Sequence, residues 1–183
     1  KRLQAAQQIV ISELQHRTKN MFAVVTAIAM NTFSARRSLA EARSIFSSRM
    51  QALQSAHDLL ENADWEGVTL ADILKRQFAD MKDRVDISGC DIPVRISAAQ
   101  HLALIVNELT TNALKHGALS EDEGRIRIRG RIDRSDGQRP SFCFEWEESG
   151  GPRVLPPASI GFGTLLVDDA ARRFARDVKT EFA

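Results

Sequence analysis

Apolar residues recur at every third or fourth position through the first third of the chain, and neither glycine nor proline interrupts Lys1 through Glu66. That spacing predicts helix. Over residues 2–33 a heptad frame places Leu3, Val10, Arg17 and Val24 at one core position, and Gln7, Leu14, Met21 and Ile28 at the other. Six of those eight positions are apolar. A helix of that length, about 48 Å, is unstable alone and needs a partner. A second helix is expected from Leu39 to Asn62, opened by Ser38 and Glu41 as a capping box. Its seam is Leu39, Phe46, Leu53 and Leu60, with Met50 and His57 between them. Two antiparallel helices with apolar seams make a hairpin, and such a hairpin closes its core by pairing with a second copy as a four-helix bundle.

The pattern changes at ENADWEGV, 61–68, where the first glycine appears. This break separates a domain over 1–64 from one over 68–183, with Trp65 as an anchor and the segment itself as a hinge. Thr69 with Asp72 opens a helix expected to run to about Met81. Val85 to Ile96 holds two short extended runs, broken by Gly89 and Pro93, and Ser97 is expected to cap a central helix. GRIRIRGRIDR, 124–134, alternates: Ile126, Ile128 and Ile132 on one side, Arg125, Arg127, Arg129 and Arg131 on the other. That is a strand with one solvated face. SDGQRP then reads as a hairpin loop and SFCFEWEE as the returning strand. The whole is a soluble, two-part α+β protein.

Composition narrows the partners. Lys plus Arg total 25 and Asp plus Glu 24, so no global basic field recruits nucleic acid, and the alternate arginines lack interleaved aromatics. The run MFAVVTAIAM, 21–30, is too short to span a bilayer, and no signal peptide pattern is visible, so no membrane contact is expected. Cys90 and Cys143 have no metal-ligand spacing and read as free thiols of a cytoplasmic protein. The chain opens inside a helical pattern without a cap, as a piece of a longer protein would.

The chemistry concentrates in IVNELTTNALKHGA, 105–118. Leu102, Ile105, Val106, Leu109 and Ala113 form an apolar stripe. Glu108, Asn112, Lys115 and His116, at i, i+4, i+7 and i+8, form a second stripe about a quarter turn away. A carboxylate and an amide oxygen suit a hard cation such as Mg²⁺, and an ammonium and an imidazole suit phosphate oxygens. Together they suggest a Mg-nucleotide site. A solvated helix face with i,i+4 pairs fits the same spacing.

Four motifs, in order, resemble those of the HWE histidine kinase family. ELTTNALKHGAL, with His116, resembles the N box, and ELQHRTKNMFAVV resembles the phosphoacceptor box. EWEESGGP, 145–152, supplies the W-x-E element in Trp146 and Glu148, and GFGTLLV, 161–167, resembles the second glycine box. RMQALQSAHDLL is also similar to the family's second hairpin helix, though His57 reads as a core or interface residue. The resemblance implies a dimerisation and phosphotransfer hairpin followed by a Bergerat-type α/β sandwich, helices on one face of a mixed sheet. It implies ATP and Mg²⁺ as ligands. It makes His16 the nucleophile, with Arg17 and Lys19 steadying phosphate. Where related kinases carry Glu after the histidine, this chain has Arg17, which leaves Glu13, one turn back, as the candidate base.

By the same resemblance Asn112 holds Mg²⁺ with Glu108 in or near its water shell, while Lys115 and His116 meet the phosphates. Glu148 contacts the adenine amine directly or through water, since a carboxylate accepts and the amine donates. Gly150 and Gly151 let backbone approach the base. RVLPPASI is a short lid. Gly161, Gly163 and Thr164 lead into a helix over 164–175 whose N–H groups cradle phosphate. A last extended run, 178–182, leaves one edge strand of the family missing.

The function implied is ATP-dependent autophosphorylation of His16 and transfer to an aspartate of a response-regulator receiver, in a homodimer driven by an upstream sensor domain. A Bergerat-fold ATPase or serine kinase without an acceptor histidine, and an inactive dimeric adaptor, are the alternatives.

Overall fold

The computed structural model describes residues 2–33, 38–61, 67–133 and 141–153. The chain divides into two compact units, Lys1–Met50 and Gln51–Ala183, which part within a helix, whereas the sequence breaks at 61–68.

In the first unit, α1 runs Arg2–Thr32. α2, Leu39–Glu61, begins here, and the Ser38 hydroxyl accepts the Glu41 N–H at 3.2 Å. Met21 and Val24 are half-buried and Ile28 is buried, as their heptad positions require, but Gln7 is exposed. The end of α1 meets α2 at Phe46 and Arg49. The Phe33 and Phe46 rings lie 5.5 Å apart, and Arg49 Nη1 donates to Thr32 Oγ1 at 2.5 Å. Leu39, at the start of α2, is 78% exposed in the single chain. The buried positions of α2 in this unit are Ala42 and Arg49.

The second unit is the α/β part. β1, Val68–Thr69, pairs antiparallel with β3, Pro93–Val94. Pro93 is thus part of a strand and not a break, which two-residue edge pairing tolerates. α3, Leu70–Gln77, starts on a complete capping box between Thr69 and Asp72. It ends four residues short of Met81, because Phe78 turns inward and is 1% exposed. A 3₁₀ turn, Lys82–Arg84, leads to β2, Val85–Ser88. The central helix α4, Ile96–His116, takes Arg95 as its N-cap, so Ser97 falls inside the helix and not at its cap. β4, Arg125–Asp133, lies between β2, to which it is parallel, and β5, Ser141–Ser149, to which it is antiparallel. The sheet is therefore mixed.

Strand alternation decides the layers. Ile126 and Ile128 are buried under Leu70, Leu74 and Phe78 of the α3 segment and Val106 and Ala113 of α4. Arg125, Arg127, Arg129 and Arg131 point to solvent, where Arg127 pairs with Asp86 and Glu147, and Arg131 with Glu145. Ile132, expected on the buried side, is 48% exposed because the strand runs past the helices that cover its start.

α4 is buried more widely than one stripe. Val106 and Ala113 are buried, Leu102, Ile105 and Leu109 are half-buried, and Ala103, Leu104 and Thr110 are buried as well. The cause is a second apolar cluster, in which Ala99 and Ala103 meet Ala56, Val68 and Ile73. The helix is wedged between two cores, which fixes its rotation and its end.

Candidate nucleotide site

The second polar stripe of α4 emerges with a gradient of exposure. Glu108 is 9% exposed, whereas Asn112, Lys115 and His116 stand in solvent. A carboxylate so enclosed, one turn from an exposed amide, offers oxygen donors to a cation on one side only. That donor set fits Mg²⁺ sharing its shell with phosphate and water. It does not fit a closed structural site, and among the described residues no group of three or more His, Cys, Asp or Glu is placed to hold a metal.

At its C-terminus α4 closes on Gly117, whose N–H reaches the carbonyls of Asn112 and Ala113. The chain then turns through Ala118–Ser120 and is tied down by the Arg84 guanidinium. Nε donates to the Gly124 carbonyl at 3.0 Å, and Nη2 to the carbonyls of Ala118 and Glu121.

The Ala118 amide faces the other way, toward β5. It donates to Glu148 Oε2 at 2.8 Å. Glu148 Oε1 accepts from the Trp146 indole Nε1 at 3.0 Å, and the Trp146 ring lies 5.9 Å from Phe78. The W-x-E pair of the strand and the end of the N-box helix are thus one hydrogen-bonded assembly. Its geometry needs missing side chains. A Cβ on Gly117 would sit 2.1 Å from Glu148 Oε2, and one on Gly151 would sit 2.6 Å from Ala118 Cα. The close approach made by Gly151 is to this backbone, and Gly150 takes φ of 73° in the turn that delivers it.

The structure therefore brings together Glu108, Asn112, Lys115 and His116 on one helix, with Trp146, Glu148, Gly150 and Gly151 packed at or beyond its end. His16 and Glu13 lie on α1 with their side chains outside the described residues, and Gly161, Gly163, Thr164 and the lid are outside them too. Gly117, Ala118 and Arg84 join this assembly in the structure, with no role for them evident in the sequence. The only hint was the small pair directly after KH. An open cavity of about 410 Å³ lies beside Gly150, Gly151 and Pro152. Glu121, Asp122 and Glu123 complete its lining, which does not suit the phosphates of a triphosphate.

Residues 13–91 match the model of the HWE histidine kinase family. The chain is 35% identical over 188 aligned positions to a blue-light-activated histidine kinase of Brucella ovis, covering 100% of this chain and 38% of that protein. The corresponding kinase of Brucella anthropi is 35% identical over 171 positions, 91% of this chain and 35% of that one. Over residues 13–91 the match places this chain with the HWE histidine kinase family. It spans little more than a third of the length of these curated relatives.

The fold is similar to that of solved histidine kinases. The blue-light-activated histidine kinase of Erythrobacter litoralis superposes with a TM-score of 0.56 at 20% identity, over 89% of this chain and 55% of that one. Its isolated histidine kinase domain gives 0.53 at 18% identity, over 82% and 84%. Among the described residues no helix is long and apolar enough to cross a membrane.

Proposed function

We propose that this HWE chain is the catalytic part of a histidine kinase: it binds Mg-ATP along the exposed edge of α4 and transfers the γ-phosphoryl group to His16. The observation that carries the reading is the assembly at the end of α4. There an exposed carboxylate, Glu148, is held at the end of the helix that also presents Asn112, Lys115 and His116. One end of that arrangement accepts from an adenine amine and the other meets phosphate oxygens. Bound Mg²⁺, for which Glu108 and Asn112 supply oxygen donors, neutralises phosphate charge.

A ring nitrogen of His16 forms the new N–P bond, the bond from Pγ to the β,γ-bridging oxygen breaks, and ADP leaves with that electron pair. The second ring nitrogen gives up its proton, to Glu13 or to water. The protein contributes position and electrostatics. The phosphoryl group then moves from nitrogen to a carboxylate oxygen of a receiver aspartate, and a second copy of the hairpin completes the homodimer. Input comes from a sensory region of the longer protein, by analogy with the light-activated relatives.

The test is transfer from γ-labelled ATP to wild type, His16→Gln and Asn112→Ala. Acid-labile, base-stable label on wild type and none on either variant is expected. Equal labelling of His16→Gln refutes the acceptor. Acid-stable label points to a serine kinase, and ATP hydrolysis without label to an ATPase. Absence of Mg-dependent ATP binding points to an adaptor.

A further inference from the structure

We propose that Trp146 is a specificity-positioning residue: with the Ala118 amide, its indole N–H holds the Glu148 carboxylate so that the pocket accepts a purine bearing a 6-amino group and rejects one bearing a 6-oxo group. This deepens the adenine-nucleotide reading and rests on it.

Trp146 and Glu148 are two residues apart on β5 and so share a face of the strand. The indole takes one oxygen of the carboxylate at 3.0 Å, and the Ala118 N–H takes the other at 2.8 Å. Each carboxylate oxygen accepts two hydrogen bonds, so both keep a free acceptor position. With two donors fixing its plane, the group no longer rotates. A rotating carboxylate meets any donor with a loss of freedom, whereas a held one favours a donor in one place. An amino group there is satisfied. A 6-oxo group sets acceptor against acceptor and leaves the oxo oxygen without a donor there, and polar mismatch of that kind discriminates strongly.

Two further features belong to the same device. Gly117 has φ of −116°, a conformation open to any residue, so its backbone does not demand glycine. What demands it is room, because a Cβ would lie 2.1 Å from the bound oxygen. The Trp146 ring, meanwhile, is anchored against Phe78 and the core, which leaves its N–H aimed at Glu148. Trp146→Phe keeps a ring in that place and deletes the donor.

The experiment measures dissociation constants of Mg-ATP and Mg-inosine triphosphate by calorimetry on the intact chain. Wild type, Trp146→Phe and Gly117→Ala are compared, each checked for its thermal unfolding transition. Wild type is expected to prefer ATP. In Trp146→Phe that preference falls about tenfold, the size of one lost hydrogen bond to a charged group. Gly117→Ala, which pushes the carboxylate off the Ala118 amide, lowers the same ratio. A ratio of base affinities does not respond to a loss of folded protein. An unchanged ratio in folded Trp146→Phe overturns the proposal, and if that variant does not fold, an unchanged ratio in Gly117→Ala does so. Wild type that binds both triphosphates equally also overturns it while leaving the nucleotide site standing. Wild type that binds neither overturns the nucleotide reading itself.

Discussion

Replacing Arg84 by Met removes a guanidinium that holds three backbone carbonyls while keeping most of its aliphatic stem. Two of the bonds carry the effect: Nε to the Gly124 carbonyl at 3.0 Å, and Nη2 to the Glu121 carbonyl. The third, to Ala118, is long at 3.4 Å and adds little. A hydrogen bond to a charged group contributes about 1.5 to 3 kcal/mol. Arg84 is only half-buried, so water replaces part of what is lost, and the low end applies. Two bonds at about 1.5 kcal/mol, discounted by about a third for that rehydration, give a loss of about 2 kcal/mol. With an m-value of about 2 kcal/mol per molar urea, the unfolding midpoint moves down by about 1 M. Trp146 fluorescence in a Trp65→Phe background reports this unit alone, because Trp65 and Trp146 are the two tryptophans of the chain. Arg84→Lys keeps the charge but not the fork, and recovers less than half of the loss. A midpoint shift of Arg84→Met below about 0.2 M would refute the view that this side chain ties the turn after α4.

Three other outcomes are expected. The Asp72 carboxyl sits below its ordinary value of 3.8 because the Thr69 hydroxyl and then the Thr69 N–H donate to it. Its stabilisation is therefore complete above that value and is lost as pH falls through the lower, folded one. The margin of wild type over Asp72→Ala, about 1 kcal/mol for a cap of this kind, should be flat at neutral pH and vanish in acid denaturation series. Burial, and then the charge of Asp91, raise the Cys90 thiol above its usual range. A disulfide reagent at pH 8 should titrate one thiol, Cys143, in the native chain and two in urea; two fast thiols in the native chain would contradict the packing of Cys90. Thr32→Val removes an acceptor from the buried Arg49 and should destabilise the hairpin unit by about 1 to 3 kcal/mol in thermal unfolding, whereas a neutral result would mean that Arg49 has no need of it.

What the sequence makes legible follows from periodicity. Long helices, the Thr69–Asp72 cap and the isoleucine–arginine strand all announce themselves, because each is decided by neighbours in the chain. What it hides is decided by neighbours in space. Phe78 ends α3 early because the sheet has room for its ring. Leu39 is bare in the single chain, where α1 meets α2 farther along. α4 shows one stripe in sequence but meets two cores, so alanines at 99 and 103 are buried without any hydropathic signal. The site follows the same rule. Glu108, Asn112, Lys115, His116, Trp146 and Glu148 were visible as motifs. The bonds from Ala118 and Trp146 to Glu148, and the space Gly117 leaves for them, exist only once β5 lies against the end of α4.

The β4–β5 ladder works as a ruler graduated in twos. It runs unbroken from Asp133 opposite Ser141 to Arg125 opposite Ser149, and its even marks carry Ile126, Ile128, Trp146 and Glu148 together. One residue inserted or deleted between Ser141 and Trp146 would move the indole and its carboxylate out among the arginines and bring Glu147 inward. A two-residue change would preserve sidedness and merely slide the reading group along. Within this hairpin, chain length by parity decides whether a pocket exists at all.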